Sequence, residues 1–135
     1  MQRRPDWMSR LMNSVETAKL LPFQYGVHDC CLWAAHCVDA MCDTTLAKDI
    51  KERINYNSEE SANAAIESAG GLLALVTEFL GKPERAVWAA SGDVVLARDE
   101  GREIVGIVIG HSIIVPTKTG LMPLPYGDAV VCWRI

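Results

Sequence analysis

Residues 23–35 read Phe23-Gln24-Tyr25-Gly26-Val27-His28-Asp29-Cys30-Cys31-Leu32-Trp33-Ala34-Ala35. This stretch predicts a loop that hands a cysteine to the first turn of a helix. Gly26 breaks the preceding segment, Asp29 is a good N-cap, and Leu32 to Met41 are mostly helix formers. A thiol in a first helical turn faces free backbone N–H groups and the positive end of the helix dipole. Such a setting lowers a thiol pKa and makes a nucleophile, so Cys30 is the first candidate for chemistry.

On the N-terminal side, Trp7, Leu11, Met12, Val15, Ala18 and Leu20 recur at the spacing of an amphipathic helix over about Asp6 to Leu20, ended by Pro22. On the C-terminal side, the helix from Asp29 to Met41 is apolar nearly all round, which predicts a buried central helix. Asp43 to Asn57 reads as an irregular excursion with some helical character. Ser58-Glu59-Glu60 opens a short helix that runs to Ser68 and ends at Gly70-Gly71. A further helix spans Leu72 to Leu80, stopped by Gly81 and Pro83.

Beyond Ser91 the pattern changes to strands. Gly92 to Ala97 and Glu103 to Ile109 are β-rich runs joined by a hairpin connection at Arg98-Asp99-Glu100-Gly101. Gly110-His111-Ser112 turns into Ile113 to Val115, Pro116 to Gly120 reads as another turn, and Ala129 to Ile135 as a final strand. Helices followed by an antiparallel sheet predict an α+β fold, with 1–135 as a single domain.

The 135 residues are 50% hydrophobic, enough to fill one core and to leave an apolar face for a partner. The net charge of −4 and the scattered Lys and Arg residues give no nucleic-acid footprint. No apolar run is long enough for a membrane span. The start, Met-Gln-Arg-Arg-Pro-Asp-Trp, is not followed by the apolar segment of a secretory signal, which points to synthesis in a reducing cytoplasm. The five cysteines are then thiols and not a disulfide framework.

Cys30, Cys31, Cys37 and Cys42 invite a metal reading that helix geometry opposes. Cys30 and Cys37 lie about 10 Å apart along the axis, and Cys30 and Cys31 diverge by about 100°. No pair has the two-residue spacing of a zinc knuckle. Small buried hydrophobes are the simpler assignment for Cys31, Cys37 and Cys42, and no metal ligands or cofactors are assigned. Trp88 and Trp133 stand at segment ends, where aromatic anchors of interfaces are common.

Tyr-Gly-x-x-Asp-Cys opening a helix, followed by Gly-Asp-Val-Val-Leu and then Val-Gly-Ile-Val-Ile-Gly, resembles the NlpC/P60 group of papain-like cysteine peptidases. Trp7, Pro22-Phe23, Tyr25-Gly26, His28-Asp29-Cys30, Gly92-Asp93, Gly106-Ile107 and Trp133-Arg134-Ile135 are together similar to a small NlpC/P60-related family of phage and prophage tail proteins. The resemblance implies N-terminal helices with a central cysteine-bearing helix packed on a C-terminal antiparallel sheet. It implies Cys30 at the nucleophile position, with Tyr25 and Asp29 on the substrate side. The base of such peptidases is a histidine in a His-Val-Gly-Ile pattern, and here that slot holds Ile104. The third polar group falls near Val115-Pro116, where no His, Asn or Gln stands.

His111 is the remaining candidate base. It lies seven positions past Ile104, on the opposite face of a continuous strand and about 23 Å along it, which favours a turn or surface role. His28 is too near Cys30 in sequence to reach it across a cleft, and His36 sits about two turns along the same helix as a packing or interface residue. Half a papain-like site implies a degenerate peptidase fold: a structural or assembly part of a phage tail tip or baseplate. Such a chain would be made in the bacterial host cytoplasm, carried in the virion, and partnered by other tail proteins. The alternatives are an active cysteine hydrolase that cuts peptidoglycan stem peptides during genome entry, and a tail-tip protein whose cysteines hold a metal or iron–sulfur cluster.

Overall fold

The structure, a computed structural model, describes residues 1–135. Helix α1 (Trp7–Ala18) buries Leu11, Val15 and Ala18 against α2 (Cys30–Cys42). Nine of the thirteen residues of α2 are buried, as expected of a helix apolar on nearly every side. Asp39, on α2, caps the following helix α3 (Leu46–Arg53): its carboxylate accepts from the N–H groups of Leu46 at 2.7 Å and Ala47 at 3.0 Å. Ser58 and Ser61 form a capping box at the start of α4 (Glu59–Ser68). Helix α5 (Leu72–Leu80) enters at Gly71 and leaves at Gly81, both with positive φ.

Six strands then build one antiparallel sheet: β1 (Glu84–Arg85), β2 (Val94–Asp99), β3 (Arg102–Ile109), β4 (Ser112–Thr117), β5 (Gly120–Pro125) and β6 (Ala129–Trp133). The order across the sheet is β1-β6-β2-β3-β4-β5, so the last strand returns to lie between the first two. One face of β2 and β3, with Val94, Leu96, Val105 and Ile107, joins the core made by the helices. Alternate residues on the other face join a second cluster with Ile113, Val115, Leu124 and Cys132. That cluster draws on β2, β3, β4, β5 and β6, so the sheet curls over its own second core.

Gly106 makes the curl possible. A Cβ there would stand 2.6 Å from Ile113 Cγ2, 2.7 Å from Val115 Cγ1 and 2.9 Å from the Ile114 carbonyl oxygen. Asp93, next to Gly92 at the start of β2, clasps both chain ends. Its buried carboxylate accepts from Arg3 at 2.9 Å, from the Ile135 N–H at 2.9 Å and from the Ala90 N–H at 2.9 Å, and forms an ion pair with Arg134 at 3.0 Å. The Arg3 guanidinium also lies 4.1 Å from the centre of the Trp7 ring.

The α+β expectation holds, with differences where local pattern is ambiguous. The segment read as an irregular excursion with some helical character contains the regular helix α3. The stretch after Gly120 forms β5 despite Pro123 and Pro125. Proline lacks the ladder N–H but is tolerated on a strand with one open side, and β5 is the outer strand of the sheet. Pro116 is accommodated similarly, since the β3–β4 pairing covers only Ser112 to Ile114 of β4. Trp133 is not an interface anchor: it is buried, and its ring N–H donates to the Gly81 carbonyl at 3.0 Å.

Candidate functional site

The loop before α2 is fastened at three points. Gln24 and His28 exchange backbone hydrogen bonds of 2.9 and 2.8 Å, closing a tight turn. Gly26 occupies φ +84°, and a Cβ there would fall 2.1 Å from the Tyr56 carbonyl oxygen, so neither its conformation nor its surroundings admit a side chain. Asp29 is extended and caps α2: Oδ1 accepts from the Leu32 N–H at 2.9 Å, and Oδ2 accepts from the Gly26 N–H at 2.9 Å and from the Tyr56 hydroxyl at 2.7 Å. The carboxylate is buried and both oxygens are engaged within the chain. Asp29, assigned by the resemblance to the substrate side, therefore acts as the pin that holds loop, helix and Tyr56 together.

That pin sets Cys30 on the first turn of α2, half-buried, with its sulfur against the backbone of Val105 on β3. Helix position alone predicts a thiol pKa below normal, and the structure reverses this. Burial pushes the Cys30 thiol from its ordinary 9.0 up to about 11, helped by the neighbouring Asp29 carboxylate. The amides of Val105 and Cys31 and the Arg102 guanidinium pull the other way and are outweighed. At neutral pH the sulfur is a protonated, weakly nucleophilic thiol.

Tyr25 stands beside Cys30, half-buried, with the Phe23 ring packed edge-on at 4.9 Å. Burial raises the Tyr25 phenol, as does the carboxylate of Glu59, while Arg102 opposes the shift. Glu59 in turn approaches Lys118, on the β4–β5 turn, at 3.8 Å. Arg102 thus acts on both Tyr25 and Cys30, and Glu59 acts on Tyr25. Arg102 and Tyr56 carry no signal in the local sequence: each is brought in by an element remote from the Tyr25–Cys30 loop.

The histidines do not complete a nucleophile–base pair. The groups that shift the Cys30 thiol most are the amides of Val105 and Cys31, Asp29 and Arg102, with no imidazole among them. Ile104 packs into the second cluster, on the sheet face opposite to Val105 and Ile107. His111 is exposed on the β3–β4 turn, and the five residues of strand from Val105 to Ile109, about 13 Å end to end, separate that turn from Cys30. His28 is buried, and its pKa is lowered mainly by that burial. His36 lies on the exposed side of α2, its pKa also lowered by partial burial and then by Lys51. No three His, Cys, Asp or Glu side chains gather closely enough to hold a metal ion. Cys31, Cys37, Cys42 and Cys132 are buried free thiols.

A family match covers residues 2–135, nearly the whole chain. The chain belongs to the family described as Domain of unknown function (DUF6950). Membership in the DUF6950 family extends over both the helical half and the sheet, so the Cys30 helix and the strands it meets belong to one family unit. No curated protein matches the sequence. Thiol-based hydrolysis draws on an imidazole beside the sulfur, and none is among the groups that shift Cys30 most.

Proposed function

We propose that the chain is a degenerate papain-like protein of NlpC/P60 type, and that it serves as a structural or assembly protein of a phage-type tail, at the tip or baseplate. The observation that carries this reading is the environment of Cys30. A thiol at the start of a helix, packed against an antiparallel strand, has the placement of a nucleophile. Its pKa of about 11, with no imidazole among the groups that shift it most, supports a thiol that is no longer used as one. The order of elements supports the same lineage, with helices first and the cysteine-bearing helix against the sheet. In this role the chain is made in the bacterial host cytoplasm, enters the virion, and meets other tail proteins.

Two experiments test the two halves of the proposal. Deleting the chain from the phage or prophage that encodes it is expected to stop the formation of infectious tailed particles, while Cys30→Ala leaves their yield unchanged. Purified chain incubated with peptidoglycan is expected to release no muropeptides. Release of stem-peptide fragments that disappears in Cys30→Ala would establish an active hydrolase and overturn the degenerate reading. Normal particles without the chain would overturn the tail assignment.

A further inference from the structure

The residues before α1 form neither helix nor strand, and the apolar ones among them, Met1 and Pro5, are exposed. This arm is therefore held by polar contacts, and Arg3 is its one deep attachment. The Arg3 guanidinium lies 4.1 Å from the centre of the Trp7 ring. It also lies against the backbone of Gly92, where a Cβ would stand 2.9 Å from its nearest nitrogen. Its Nε donates to the Ile135 carbonyl at 2.8 Å, and a terminal nitrogen donates to the buried Asp93 carboxylate at 2.9 Å. An aromatic face, a backbone free of any side chain and acceptors for two different nitrogens make a socket for a guanidinium, which an ammonium fills poorly. The rest of the arm holds at the surface. The Arg4 N–H donates to the Met41 carbonyl at 2.8 Å, and the Arg4 guanidinium pairs with the exposed Asp43. Exposed ion pairs of this kind contribute little.

We propose that two copies of the chain exchange this arm, Arg3 of each entering the socket of the other. The charge and shape of the socket select arginine, and the arm of a second copy brings that arginine with the same neighbours around it. Each contact of the arm is met unchanged in the exchanged form, so the exchange loses none of them. The hinge is equally well defined. The turn between arm and α1 is closed by one backbone bond, from the Trp7 N–H to the Arg4 carbonyl at 3.1 Å. Pro5 fixes its own φ and disfavours a helical Arg4, so the connection is stiff. Opening that single bond lets Met1 to Arg4 swing out, with a reach of about 13 Å from Pro5. Trp7, Gly92, Asp93 and Ile135 all lie beyond the hinge and stay together as the socket. Closed and exchanged forms share their contacts, so the length of the hinge decides which one forms.

Changing the hinge length in the full chain tests the proposal. Deleting Pro5 denies Arg3 its own socket and leaves the socket of a neighbour within reach. Sedimentation of that variant is expected to show dimers, with association at least about tenfold tighter than for the wild-type chain. In a mixture of isotope-labelled and unlabelled copies, nuclear Overhauser contacts should join Arg3 of one copy to the Trp7 ring of the other. Adding Arg3→Lys should return the shortened chain to a monomer, since the socket then contributes to the dimer alone. Inserting Gly-Ser-Gly after Pro5 reads the same hinge with every native residue in place. The wild-type chain near millimolar concentration should form the dimer, and the insertion should weaken it about tenfold. The arm buries no apolar side chain, so all these variants should keep the wild-type circular dichroism. A shortened chain that folds and stays monomeric would overturn the proposal. So would a dimer that survives Arg3→Lys, one without the Arg3–Trp7 contact between copies, or a wild-type dimer indifferent to the insertion.

Discussion

The Tyr56 hydroxyl donates a 2.7 Å hydrogen bond to Asp29 Oδ2, across 27 residues of sequence. The same carboxylate caps α2 through the Leu32 N–H and holds the Gly26 turn. One buried group thus fixes where the loop, the helix start and the segment before α4 sit relative to one another. Tyr56→Phe removes the donor and leaves a buried carboxylate short of one partner. Hydrogen bonds to charged groups contribute about 1.5–3 kcal/mol, so the variant should lose stability in that range, measured by urea unfolding. A loss near zero would mean that Asp29 holds the loop without Tyr56.

Cys30 reactivity should follow its raised pKa. Labelling of Cys30 by iodoacetamide, followed by mass of its peptide, is expected to climb with pH and level off only near 11. A plateau reached at neutral pH would identify an activated thiolate and contradict the burial argument. Stability carries the same sign. Between pH 9 and 11 the folded chain keeps the Cys30 proton that the unfolded chain has released. Folding stability therefore falls as pH rises through that window, and Cys30→Ala should flatten the fall.

Gly106 should tolerate no side chain. Gly106→Ala pushes a methyl to within 2.6 Å of Ile113 and 2.7 Å of Val115. Overpacking a filled core typically costs about 1–3 kcal/mol, read as a lower thermal midpoint. Val115→Ala in the same chain opens space on one side and should recover part of the loss. An additive outcome, with each substitution costing its own amount, would mean that β4 relaxes away from β3.

Asp93 should be the most sensitive polar position. Asp93→Ala strands the Ile135 and Ala90 amides and frees Arg3 and Arg134 together. Breaking a buried ion pair from one side costs about 3–5 kcal/mol, and proteolysis at the released C-terminus should accelerate. Arg3→Met, whose partner keeps two amide donors and the Arg134 ion pair and whose own charge is partly in solvent, should cost only about 1 kcal/mol.

The sequence was readable wherever a signal is local. The Asp29 cap, the helix from Leu72 to Leu80 between its glycines, and the run that becomes β3 are all set by neighbours within a few residues. β1 and β5 were not readable. Two exposed charged residues and a segment with two prolines carry no strand pattern, and they become strands because β6 and β4 offer them partners. Trp88 and Trp133 look alike in sequence, and only the path of the last strand decides that one is core and the other surface.

The sequence by itself determined that Cys30 begins a helix and that the histidine slot of the pattern it resembles holds Ile104. Its local composition argued for a nucleophile, since the helix dipole acts over a single turn. Only the tertiary structure decided the state of that thiol. β3 closes over it, Asp29 is drawn to Tyr56, and desolvation outweighs the helix start and Arg102. Burial is a property of the packed chain, with no counterpart in the thirteen residues that announce the cysteine.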